Sequence, residues 1–222
     1  MTTVTQSRRF STAPFAFALL ALASLAGCRI APPPNIKPLA PNAVSLDPRD
    51  WNMLYSSDML GHPSAEAAAS WSFGFPRGGH VNYVQTPFNA TVALHNIEVT
   101  FRIDSFQAQY TVTDSRDKPP ATVHLFFEQQ NDDLRNPDGR WWAFASGYNL
   151  GSQDNNQITI TVPLTPDIWS NVDGQHDANS FYAALQNVGW IGITCGGQDF
   201  WEHGVSLGGG TARYVLIDFK AT

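Results

Sequence analysis

The feature that most constrains this chain is the spacing of its apolar residues. In Gln157-Ile158-Thr159-Ile160-Thr161-Val162 they alternate with polar ones, so Ile158, Ile160 and Val162 share one face of an extended strand. Pro163 and Pro166 end the run. Similar apolar or alternating runs occupy residues 71–75, 80–84, 91–94, 97–103, 109–112, 140–145, 188–195 and 213–219. The most apolar of the earlier runs, residues 122–128, is predicted to lie centrally. Helical signal is confined to brief turns at residues 65–69 and 181–185, too short to stand alone. About ten short strands, punctuated by Gly, Pro, Asn and Asp, predict an all-β fold: one antiparallel β-sandwich of jelly-roll type over residues 45–222.

Composition fits that reading. Charged residues make up 14% of the chain, against about 25% in ordinary globular proteins. The formal charge of −6 leaves no basic face for a phosphate backbone, which excludes nucleic acid as a partner.

The N-terminal residues carry a different signal. Arg8 and Arg9 form a positive segment, residues 15–25 are apolar and uncharged, and small residues precede Cys28. This is the build of a secretory signal over residues 1–27, and its apolar run is shorter than the roughly 20 residues a spanning helix needs. Leu25-Ala26-Gly27-Cys28 resembles the lipobox of bacterial lipoproteins. The resemblance implies that Cys28 is acylated, palmitate included, and becomes the first mature residue on a membrane. Arg29, where an aspartate would retain the protein at the inner membrane, implies by the same resemblance an outer-membrane lipoprotein. Residues 28–44 read as a tether. Five prolines within residues 31–41 preclude a helix and favour an extended spacer, which at about 3.1 Å per residue reaches roughly 30 Å.

The C-terminal fifty residues carry a second resemblance. Phe181-Tyr182-Ala183-Ala184-Leu185 precedes Gly189-Trp190-Ile191-Gly192-Ile193-Thr194-Cys195-Gly196-Gly197, and His203-Gly204-Val205 leads into Gly210-Thr211-Ala212-Arg213-Tyr214-Val215-Leu216-Ile217-Asp218-Phe219. Together these resemble the final strands of galactose-binding-like jelly rolls, the fold of many carbohydrate-binding modules. The resemblance implies a glycan ligand held on aromatic platforms, with amides and carboxylates fixing the hydroxyls.

Seven tryptophans supply the raw material for such platforms. Trp141 and Trp142 are adjacent and must face opposite sides of a strand. Phe144 falls in register with Trp142, which assigns Trp142 to the core and Trp141 to the ligand. Trp201 is a second candidate, in a glycine-bounded loop with Asp199, Glu202 and His203. Cys195 sits in an apolar run and reads as a buried hydrophobe. The resemblance also raises a structural Ca²⁺, for which Asp47, Asp104 and Asp218 lie near strand ends, but no ligand spacing supports a metal and none is assigned.

No Gly-x-Ser-x-Gly elbow and no His-Glu-x-x-His pair is present. The expected function is therefore a membrane-anchored lipoprotein with a non-catalytic glycan-binding module. Two alternatives remain open: an envelope scaffold that binds another protein, and a polysaccharide hydrolase whose carboxylates come from Glu128 and Asp132-Asp133.

Overall fold

The computed structural model describes residues 42–67, 70–90, 93–112, 120–133, 135–152, 155–197 and 204–222. Among the described residues thirteen strands are formed: β1 (Asn52–Tyr55), β2 (Asp58–Gly61), β3 (Ser64–Glu66), β4 (Ser70–Gly74), β5 (Tyr83–Pro87), β6 (Asn96–Val112), β7 (Thr122–Gln129), β8 (Arg140–Trp142), β9 (Tyr148–Asn149), β10 (Gln157–Pro163), β11 (Ser170–Asn171), β12 (Val188–Gly196) and β13 (Val205–Ala221). Among the described residues one α-helix, α1, spans Ala178–Leu185.

The strands make two antiparallel sheets that pack as a sandwich compatible with a jelly roll. One sheet has eight strands in the order β11-β8-β7-β12-β5-β1-β2, with β9 added to β7. The other has five, in the order β10-β6-β13-β4-β3. Alternation explains the layer between them. Val123, Leu125 and Phe127 of β7, and Ile191, Ile193 and Cys195 of β12, point inward from the eight-stranded sheet. Ile97, Val99, Phe101 and Ile103 of β6 meet them from the other side. Aromatic rings stitch the five-stranded sheet together: Tyr214 stacks on Phe101 with centroids 4.9 Å apart and on Phe73 at 5.4 Å. Trp51 packs on Trp71 at 4.7 Å.

Three sequence expectations are corrected. Residues 97–103 and 109–112 are parts of one 17-residue strand, β6, and its partner β13 is equally long. Continuity comes from a kink: Gln107 adopts φ 49° and Gly210 opposite it φ 67°, where an added Cβ would lie 2.0 Å from the Gln107 carbonyl oxygen. The kink also changes which alternate residues face inward, from Ile103 before it to Ala108 after it. Where a helical turn is expected from residue 65, Ala65 and Glu66 instead belong to β3, which pairs with β4. Sheet pairing overrides a short alanine-rich propensity here. Lastly, the extended run at 140–145 stops at Trp142, because Phe144–Ser146 turn into a 3₁₀ helix.

The helical turn expected at 181–185 is present and extends back to Ala178. Asp177 caps α1, its carboxylate accepting from the Ser180 amide at 2.8 Å. Phe181 and Ala184 face the core.

Candidate functional site

The outer face of the eight-stranded sheet is the part of the molecule where aromatic, carboxyl and amide groups converge. Phe126 of β7 faces outward, so His124 and Glu128 share its side, as do Gly192 and Trp190 on the neighbouring strand β12. Register sets the rows. Glu128 lies between Arg140 of β8 and Trp190 of β12, and Trp190 is in turn opposite Pro87 of β5. In the next row Phe126 lies between Trp142 and Gly192, with Gln85 beyond.

Gly192 is required in that row. The β5 main chain passes so close that an added Cβ would lie 2.2 Å from the Val84 carbonyl oxygen. Tyr83 packs its ring on Phe126 at 5.0 Å, and these two with Trp142 make a small apolar cluster on the outer face. The Arg140 guanidinium donates to the Tyr83 hydroxyl, while burial pushes that phenol up to about 12. Arg140 also pairs with Asp132 at 2.9 Å, and the Asp132 side chain is 1% exposed. Gly139, in the 3₁₀ turn Pro137–Gly139, makes room for that carboxylate, since a Cβ there would lie 2.5 Å from its Oδ1.

Glu128 is the unusual group. Burial raises its carboxyl, the neighbouring Asp132 charge raises it further, and Arg140 only partly offsets them, leaving it at about 7. His124, further along the same strand face, is committed elsewhere. Its Nδ1 bonds the Ala143 carbonyl at 3.0 Å, its Nε2 bonds the Thr122 hydroxyl at 2.8 Å, and burial lowers its pKa.

Beside Glu128 opens a groove of about 420 Å³, lined by Trp190, Asn89, Gln130, Asn131 and Phe88 among others. Its shape follows from a bulge in β12 between Val188 and Trp190. Gly189 occupies the bulge, where a Cβ would lie 2.6 Å from the Gln130 Cα. Asn89, Gln130 and Asn131 are exposed, and Trp190 is partly exposed while the other five described tryptophans are buried. One row away, the side-chain oxygen of Gln85 is buried and has no hydrogen-bond partner.

The platform assigned to Trp141 is overturned. Trp141 is fully buried in the core, its indole N–H donating to the Asp138 carbonyl at 2.8 Å. Trp142 is the one that faces outward, and it is buried as well, at 5% exposure. The reason is register: Trp141 pairs with the inward Phe127, and Trp142 with the outward Phe126. Phe144 gives no guide to the face because the strand has already ended. Cys28, Asp199, Trp201, Glu202 and His203 lie outside the described residues.

Trp190 is the candidate residue that the sequence reading did not single out. The signal was present, since Ile191, Ile193 and Cys195 alternate inward and therefore turn Trp190 outward. Each aspartate considered for calcium has a cationic neighbour: Asp47 with Arg49, Asp104 with Arg102 and Arg213, and Asp218 with Lys220. Among the described residues no three His, Cys, Asp or Glu side chains are grouped to hold a metal ion. Cys195 is buried, and its thiol is pushed well above the ordinary range.

No protein-family model and no curated protein matches the chain.

Proposed function

We propose that this is a membrane-tethered lipoprotein whose sandwich is a non-catalytic glycan-binding module, with its binding face at Trp190 on the outer side of the eight-stranded sheet. The observation that carries the reading is the groove itself: a partly exposed indole flanked by the three exposed amides of Asn89, Gln130 and Asn131. An indole face suits the apolar side of a pyranose ring, and amides offer both a donor and an acceptor to ring hydroxyls. The tether and anchor rest on the sequence around Cys28.

A glycan array probed with the full-length protein in detergent tests the binding site. Signal that disappears in Trp190→Ala, with the far-ultraviolet spectrum and melting temperature retained, supports it. Signal unchanged in that variant overturns the site, and a folded wild-type protein that binds no glycan overturns the reading. Metabolic labelling with a palmitate analogue tests the anchor: label should enter the wild type and be absent from Cys28→Ser.

One observation favours a second reading, hydrolysis, because a carboxyl near 7 suits a general acid. Two-carboxylate glycosidase chemistry needs a second carboxylate that also reaches the sugar. Asp132 is sealed against Arg140, so the pair is better suited to holding a ligand than to cleaving one.

A further inference from the structure

We propose that the Trp190 groove takes neutral glycans, with the ionised Glu128 carboxylate accepting a pair of ring hydroxyls, so that binding releases a proton and acidic sugars are refused. The inference rests on the glycan reading and assigns the charge class of its ligand.

The geometry begins with the Glu128–Trp190 pair. Directly opposed residues on one face of an antiparallel ladder have Cβ atoms about 5 Å apart, and these two are opposed across β7 and β12. A pyranose seated on the indole would bring its edge hydroxyls to the carboxyl group. Glu128 is largely buried, with 9% of its surface exposed. On the far side of Trp190 runs β5, where the unpartnered Gln85 oxygen is a second acceptor, buried and awaiting a donor on the same sheet face. The Gln85 oxygen and the ionised Glu128 carboxylate both accept hydroxyl hydrogens, and the ionised carboxylate repels a ligand carboxylate.

The charged surroundings set the sign. From β8, Arg140 faces Glu128, and from the β7–β8 connection so does Asp132, whose pairing with Arg140 occupies that cation. Asp133 and Arg135 on the same connection point to solvent, with 64% and 89% of their side chains exposed. From β5 comes Tyr83, a phenol held neutral, and on β7 itself His124, whose pKa burial lowers. Ionised Glu128 with Asp132 and Arg140 leaves one net negative charge on the strands next to Trp190, which repels uronic and sialic acids. With solvent excluded, the empty site prefers the protonated acid. Two hydroxyl donors reverse the preference, because hydrogen bonds to the charged form favour it.

The test is a glycan array carrying neutral glucans, mannans and galactans beside polygalacturonate, alginate and sialylated glycans, probed with the full chain in detergent at about pH 5.5, 7 and 8.5. Binding should be confined to neutral glycans. For a group titrating at about 7, apparent affinity should rise about thirtyfold from pH 5.5 to 8.5. Glu128→Gln should bind weakly and without that pH dependence, whereas Glu128→Asp should bind weakly and keep it; melting temperatures confirm both are folded. Neutral-glycan binding that is lost in Trp190→Ala but is flat with pH overturns this inference and leaves the glycan reading standing, and so does equal binding of acidic glycans. A folded protein that binds nothing on the array overturns both.

Discussion

The indole of Trp141 meets the ring of Phe181 nearly edge-on, at 85° and 5.2 Å between centroids. The contact joins the short strand β8 to helix α1, and Phe127 and Trp169 close around the same ring at 5.6 and 6.3 Å. Edge-on aromatic pairs add about 0.5–1.5 kcal/mol beyond the area they bury. Trp141→Ala should therefore cost about 3–5 kcal/mol of stability, the usual loss for a deleted core aromatic. Urea denaturation followed by circular dichroism measures it; a loss below about 1 kcal/mol would mean that the indole is not packed in the core.

Gly192 is a second point at which packing leaves no latitude. With β5 backbone 2.2 Å from the position of an added Cβ, Gly192→Ala forces β5 and β12 apart. Overpacking of this kind costs about 1–3 kcal/mol. Because the two strands carry Tyr83, Gln85 and Trp190, any binding at the proposed Trp190 groove should weaken along with the melting temperature. A variant as stable as the wild type would show that the strands separate freely.

Stability should depend on pH through Glu128. The folded protein holds its proton up to about 7, above the ordinary 4.5, so it binds more protons than the unfolded chain between those values. The contribution is fully present below pH 4.5 and is lost as pH rises through 7. Integrated over that window it is on the order of 3 kcal/mol. Glu128→Gln removes it, so the wild type should lose stability relative to the variant between about pH 5 and pH 8. His124 works in the opposite direction, its lowered pKa weakening the fold in acid, but it is present in both proteins and cancels in the difference. Denaturation midpoints at four or five pH values give the comparison, and a constant difference would show that Glu128 titrates normally.

Cys195 should be unreactive while the domain is folded. Its sulfur is fully buried between the sheets, and burial keeps the thiol protonated. An aromatic disulfide reagent should release its chromophore only after denaturant unfolds the protein. Rapid labelling in native buffer would mean that the core beneath β12 opens.

Much of the fold is legible from alternation alone. Ile158, Ile160 and Val162 on β10, or Ile191, Ile193 and Cys195 on β12, can satisfy a period of two only as strands with one face inward. The candidate site was half legible by the same rule, because the inward set on β12 also fixes Trp190 as outward. Where a strand is too brief to show a period, as in Arg140-Trp141-Trp142, the rule has nothing to act on. The face is then set by the neighbour, and pairing with Phe127 took Trp141 inside.

The sequence by itself determined local matters: which runs are extended, where proline and glycine end them, and that a short helical turn lies at 181–185. Only the tertiary structure decided how the runs combine. It joined two expected strands into β6 across the kink at Gln107, and it set Glu128 between Arg140 and Trp190. The physical reason is range. Backbone preference and periodicity act over a few neighbouring residues, whereas burial, register and the field around a carboxyl depend on strands that are distant along the chain and adjacent only after folding.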